Sequence, residues 1–344
     1  MRRPAARGPV SAALLEALVR EPGPVVTMQA ALDRALADGR RPATQVLDDE
    51  DLQLSLFLLY ELHYRGVDGV DEAWEWSPDL LRCRAVLEGV LEGAIREMVP
   101  VPAGEPRTAS EVAALLFALT AADGGPSVSS FVAKKATDEQ VRELVMHRSV
   151  YQLKEADPHT WALPRLSGRP KSALIEVQAD EYGNGRPGHT HAELFAGLMR
   201  ALGLDDSYGA YLDVVPAPTL ASVNMMSLFG LHRRLRGAII GHLAAFEMTS
   251  SIPSRKYANG LRRLGHGPEA THYYDEHVEA DAVHEQIAGR DLAGGLVELE
   301  PQLRSDVLWG AAACLAVDGH AGARMLEAWQ QGRSALRPAR DLAA

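Results

Sequence analysis

Cysteine is nearly absent from this sequence: Cys83 and Cys314 are its two thiols. Both lie in helix-like apolar stretches, so buried thiols are expected rather than a disulfide. A zinc or iron–sulfur site built on thiolates is excluded by number. Long apolar runs are missing too. None approaches the roughly 20 residues that span a bilayer, so no membrane association is expected. The N-terminal run MRRPAARGPVSAALLEALVREPG is interrupted by Glu16 and Glu21, which argues against a secretory signal and for the cytoplasm as compartment. A basic surplus is lacking as well. Lys and Arg number 35 against 46 Asp and Glu, a net charge of −11, and this excludes a nucleic-acid surface. No stretch alternates with period two in β-branched residues, and the brief YLDVVP at 211–216 reads as a connector. Internal repeats and low-complexity tails are also absent.

What is present is helical periodicity almost throughout the 344 residues, enough chain for one large domain or two smaller ones. Asp48 to Tyr64 opens with acidic residues suited to a helix N-terminus and continues with apolar positions three and four apart. Residues 79–99 repeat the pattern behind Ser77-Pro78. VPVPAGEPRTASE, 99–111, is rich in Pro, Gly and small polar residues and reads as a linker. Further helices are expected at about 111–122, 138–156, 168–182, 190–203, 218–232, 235–250, 268–287, 303–318 and 321–332. The fold class is all-α, with an N-terminal helical extension over 1–108 and a bundle of seven or eight helices over 109–335.

Seven acidic and imidazole residues in the second part stand at spacings that suit metal ions in such a bundle. In HYYDEHVEADAVHEQ, His277, Asp281 and His284 are four and three residues apart and share one helical face. Glu247, in HLAAFEMTS, interrupts a small-residue apolar face, and a buried carboxylate there needs a metal or an arginine. Glu155 ends the helical run HRSVYQLKEADPH and by itself would suit a surface turn. Glu181 and His191 flank GNGRPG, a break that lets residues ten apart face one point, although Asp180 and His189 are equally placed. Four carboxylates and three imidazoles without thiolate form a hard, oxygen-rich set. It suits iron or manganese better than structural zinc, and seven ligands suit two ions rather than one.

The order Glu155, then Glu181-x9-His191, then Glu247, then His277-x3-Asp281-x2-His284 resembles the haem-oxygenase-like diiron oxidases and oxygenases, a family of iron-containing redox enzymes. The resemblance implies a haem-oxygenase-like bundle of about seven core helices and no haem. It also implies two Fe(II) ions held by those seven residues, O2 as co-substrate, and an external electron donor as a partner. Members perform N-oxygenation, desaturation, C–C cleavage or cyclisation on small molecules in natural-product biosynthesis. Some use a helical extension like residues 1–108 for dimer contacts, so a homodimer is expected.

An amino-acid-like substrate is the leading expectation. The alternatives are a fatty-acid oxidative decarboxylase on the same fold and a non-catalytic helical metal-binding or interaction protein. Arg255 and Lys256 in SSIPSRKYANGLRR offer donors for a substrate carboxylate. Asn224, with Met225 and Phe229, stands near a possible pocket wall. His272, Tyr273 and Tyr274 adjoin the metal-helix motif. Glu61 and His63 lie two apart, on different helix faces, which excludes a metal role for them. Tyr60, Tyr64, Trp74 and Trp76 read as an anchoring surface between helical layers or subunits.

Overall fold

The computed structural model describes residues 1–37, 39–122, 124 and 127–338, excepting the side chains of 279–282. Among the described residues the chain is all helical, without a strand. The N-terminal segment supplies α1 (Pro9–Leu18), α2 (Val26–Ala35), α3 (Ala43–Leu47), α4 (Glu50–Glu61) and α5 (Pro78–Met98). After the linker come α6 (Ala109–Ala121), α7 (Val128–Lys134), α8 (Asp138–Gln152), α9 (Asp157–Thr160), α10 (Gly168–Glu181) and α11 (His191–Ala201). The chain continues with α12 (Ala217–Leu231), α13 (Arg236–Met248), α14 (Ser251–Arg263), α15 (Pro268–Gln286), α16 (Gly295–Leu299) and α17 (Arg304–Gln330). A π-helical segment, Ile287–Gly294, joins α15 to α16. None of these helices is long and apolar enough to cross a membrane.

Local chemistry sets the helix starts. Asp49 accepts from the N–H groups of Asp51 at 3.0 Å and Leu52 at 2.9 Å and so caps α4. Ser77 with Pro78 opens α5. The observed helices differ from the expected ranges in several places. SSIPSRKYANGLRR, not among the expected helices, is helix α14: Ser254, Tyr257, Ala258 and Leu261 form a buried face at helical spacing, which small and polar residue types disguise. Pro253 stands in its first turn, where a missing N–H costs nothing. The two helices expected at 303–318 and 321–332 are one, α17, because Gly319 and Gly322 stay within the helix. The short α7 has no counterpart among the expected helices.

The larger of two apolar clusters runs from Leu14, Leu54 and Phe57 to Leu220, Met225, Ile239 and Val307, so it crosses the boundary expected at 108. Asn224 belongs to this seam: its amide donates to the Gln53 carbonyl oxygen and side chain, each at 2.9 Å. Tyr60 and Trp74 are buried, whereas Trp76 is exposed. Glu61 is a buried anion that ion-pairs with Lys154 and accepts from the Tyr208 hydroxyl at 2.6 Å. The Lys154 ammonium lies 4.2 Å from the Tyr64 ring centre. A charge pair so deep stands only because both partners are present.

Helices α13 and α17 pack at backbone distance. A Cβ on Gly241 would overlap the Val307 carbonyl, and one on Gly310 would overlap Ala238. In a free helix Gly→Ala gains up to about 1 kcal/mol, but overpacking costs about 1–3 kcal/mol or more. Gly241→Ala should therefore destabilise the protein in urea denaturation. Gly319→Ala, with nothing within 4 Å of its added carbon, should stabilise it slightly.

Candidate metal centre

Proline and glycine place the acidic groups. Helix α8 stops at Gln152, because Asp157-Pro158 opens a new one-turn helix. Between them Ala156 takes φ +74°, a left-handed conformation rare for a residue with a Cβ and held only by its surroundings. Glu155 sits in this turn and is buried. Glu181 is the last residue of α10 and His191 the first of α11. The loop between them doubles back at Gly183, where φ is +63° and a Cβ would lie 2.5 Å from the His189 carbonyl carbon. Only glycine fits both demands. Thr190 and Glu193 then fix the start of α11: the Thr190 hydroxyl accepts from the Glu193 N–H, and the Glu193 carboxylate accepts from the Thr190 N–H, each at 3.2 Å. His277 and His284 are two turns apart on α15, and both are buried. Asp281 is named by the sequence pattern, but its side chain lies outside the described residues.

These residues converge in two groups. Glu155, Glu181, His191 and His277 bring one ligand atom each within 4.8 Å of one another, and Glu181, Glu247 and His284 do the same. Glu181 belongs to both. His191 Nδ1 lies 2.8 Å from Glu181 Oε2 yet is buried without a hydrogen-bond partner. That is how two lone-pair donors aimed at a common third atom stand. His277 Nε2 is 3.6 Å from Glu155 Oε1, and His284 Nδ1 is 3.5 Å from Glu247 Oε2. Neighbours orient the set. The Tyr273 hydroxyl donates to Glu155, 2.9 Å from both its oxygens. His277 donates through Nδ1 to the Tyr273 carbonyl at 2.7 Å, which leaves Nε2 as the lone-pair nitrogen. Asp180 Oδ2 lies 3.1 Å from His284 Nε2, opposite the Glu247 side of the ring.

The electrostatics ask for a cation. Burial, then the charges of Glu155 and Glu247, push the Glu181 carboxyl well above its ordinary range. Burial would raise Glu155 too, but His277, His191 and Tyr273 outweigh it and hold it below its ordinary range. Burial opposes a charge on His284, yet Glu247, Glu181 and Asp180 overcome it and push that ring up to about 9. Among the described residues no lysine or arginine pairs with the three glutamates; their ion-pair contacts are with histidines. Divalent cations fit such oxygen- and imidazole-rich groups.

A small cavity of about 20 Å³ opens beside these groups, walled by Tyr151, Leu243 and Phe246 and reaching His159. His159 was missed by sequence reasoning, as was its partner His242, 3.2 Å away between ring nitrogens. Their offsets, four after Glu155 and five before Glu247, were the available signal. Burial holds His159 down at about 4 and His242 well below its ordinary range, so both are neutral. Asn224, Arg255 and Lys256 do not line the cavity. Arg255 is exposed, and Lys256 donates to Ser130 at 2.9 Å. His272 and His189 are exposed. Tyr274 packs on Tyr257 with ring centres 5.2 Å apart.

Two outcomes are expected. Gly183→Ala should displace His191 and cost metal affinity at least tenfold while far-ultraviolet circular dichroism stays helical; metal titration checks it. For the metal-free protein, the His284 ring is raised in the folded state to about 9 from an ordinary 6.5. Its contribution to stability is present in full below about pH 6.5 and is lost as pH rises through 9. Melting temperature in chelator should therefore fall between pH 7 and 9.5, and His284→Gln should flatten that slope.

No curated protein matches this chain in sequence. The iron-containing redox enzyme family matches over residues 142–319, just over half of the chain and a stretch that includes every candidate ligand. The chain therefore belongs to the iron-containing redox enzyme family, as an iron-dependent oxidoreductase with a haem-oxygenase-like helical fold.

Proposed function

We propose that this protein is a non-haem diiron oxidoreductase that uses O2 to oxidise an amino-acid-like small molecule. The observation that carries the reading is the sharing of Glu181 by two convergent groups of buried ligands. One ion would be held by Glu155, Glu181, His191 and His277, the other by Glu181, Glu247 and His284, with Asp281 as the seventh ligand. When bound, ferrous ions supply electrons for reducing O2.

The chain's own residues do the rest. Tyr273 holds both oxygens of Glu155 in place, and the His277 Nδ1–H bond to the Tyr273 carbonyl fixes which nitrogen faces the ligand group. Tyr151, Leu243 and Phe246 line the cavity with apolar surface and keep bulk water from the reacting atoms. The neutral His159–His242 pair adds imidazole nitrogens to that wall without adding charge. The ligand groups belong to the bundle proposed for residues 109–335, and the N-terminal helices buttress it through the Glu61–Lys154 pair, one residue from Glu155.

Anaerobic ferrous titration of the full chain should give two ions per chain. His277→Ala and His284→Ala should each lose about one equivalent, Glu181→Ala should weaken both, and all three should abolish substrate-dependent O2 consumption. Two equivalents and undiminished O2 consumption in the His277→Ala/His284→Ala double variant would overturn the assignment.

A further inference from the structure

Tyr273 touches the ligand groups without belonging to them. It lies on α15 one turn before His277, is buried, and its hydroxyl donates to Glu155, 2.9 Å from both carboxylate oxygens. Other rings enclose it: His277 with its centre 4.3 Å away, Phe195 at 5.1 Å and Tyr274 at 5.1 Å. A phenol gives up one electron readily when its proton can leave at the same time, because the oxidised ring makes the O–H strongly acidic. The partner of the hydroxyl therefore decides which tyrosine is easily oxidised.

The neighbouring tyrosines lack such a partner. Tyr274 has its hydroxyl buried with no hydrogen-bond partner, so its proton has no acceptor. Tyr257 accepts from the Arg148 guanidinium at 3.1 Å, and a cation so close opposes the loss of an electron. Two further tyrosines among the described residues donate to carboxylates. Tyr208 donates to Glu61 at 2.6 Å, but the Lys154 ammonium pairs with that acid and lies 5.7 Å from the Tyr208 ring centre. Tyr182 donates to Asp157 at 2.8 Å and is only half-buried, where water and solutes reach a radical. Neither acid belongs to the ligand groups. Among the described residues, Tyr273 alone joins a candidate ligand as its base to a dry enclosure of rings.

We propose that Tyr273 is a redox-active tyrosine, which gives one electron to the oxidant made from ferrous iron and O2 and passes its proton to Glu155. The O–H bond of Tyr273 breaks, a proton joins a Glu155 oxygen, and the oxidant is reduced by one electron. A neutral phenoxyl radical is left facing a carboxylic acid. One electron from a soluble reductant of the ascorbate class, with the proton returning from Glu155, restores the pair. An oxidising equivalent that no substrate has consumed is thereby held on a buried ring instead of attacking Tyr151 and Phe246 in the cavity wall. The source of the oxidant rests on the function proposed above. The redox character of Tyr273 does not, because its base and its enclosure are the chain's own.

Electron paramagnetic resonance of the full chain tests this in two arms. In the first, metal-free protein is flashed with ruthenium tris-bipyridine and persulfate, an oxidant that needs no iron. In the second, ferrous protein without substrate is mixed with O2 and freeze-quenched. Both should leave a tyrosyl signal, identified by its narrowing when tyrosine is ring-deuterated. Tyr273→Phe should abolish it. In the first arm Glu155→Gln, which keeps the phenol and removes the base, should shorten its lifetime roughly tenfold or more. Tyr274→Phe, Tyr208→Phe and Tyr182→Phe should keep it. The glutamine variant decides the question if Tyr273→Phe misfolds. After the second arm, peptide mass spectrometry should find more oxygen added to Tyr151 and Phe246 in Tyr273→Phe than in wild type. An unchanged signal in Tyr273→Phe, an unchanged lifetime in Glu155→Gln, or no signal from wild type in either arm would overturn the proposal. Signals in both arms from a chain that binds fewer than two irons would support Tyr273 and overturn the diiron reading.

Discussion

Three carboxylates that cannot all stay ionised together in a dry interior are the constraint on which this molecule turns. Glu155, Glu181 and Glu247 come from the α8–α9 turn, the end of α10 and the end of α13 and meet with histidines as their ion-pair contacts among the described residues. Burying even one unpaired carboxylate is costly, and bringing in two more multiplies the repulsion. A fold can hold such a cluster only if the rest of its core supplies the stability. Here that supply is the continuous apolar core linking the N-terminal helices to α12, α13 and α17. The cluster is then a place of high negative potential waiting for positive charge.

The surrounding residues divide into those that aim ligands and those that keep the surroundings dry and uncharged. Tyr273 and Asp180 aim; Leu243, Phe246 and the neutral His159–His242 pair fill the wall. The fixed positive charges of the region are kept away from the glutamates. Lys154, next in sequence to Glu155, is turned toward Glu61 and the rings of Phe57 and Tyr64. This keeps an ammonium from neutralising the cluster that an ion is meant to fill.

Much of this was legible in the residues themselves. The all-helical class followed from apolar spacing, and the face shared by His277 and His284 followed from a seven-residue offset. The meeting of Glu181 with His191 was readable as a glycine-rich break, but the choice between Asp180 and Glu181 was not. It depends on where α10 ends, and that is set by Gly183 lying against the His189 backbone. Helix α14 escaped notice because its buried face is made of Ser, Tyr and Ala rather than Leu and Val.

The glycine seam between α13 and α17 also orders events in time. Glu247 lies near the end of α13, and α13 is seated where Gly241 and Gly310 let its backbone meet that of α17. Because α17 (Arg304–Gln330) follows every candidate ligand in sequence, a nascent chain carries those side chains before the surface that positions Glu247 exists. Domains fold as units once their sequence has emerged. The second group of candidate ligands is therefore complete only once α17 has been made and packed against α13.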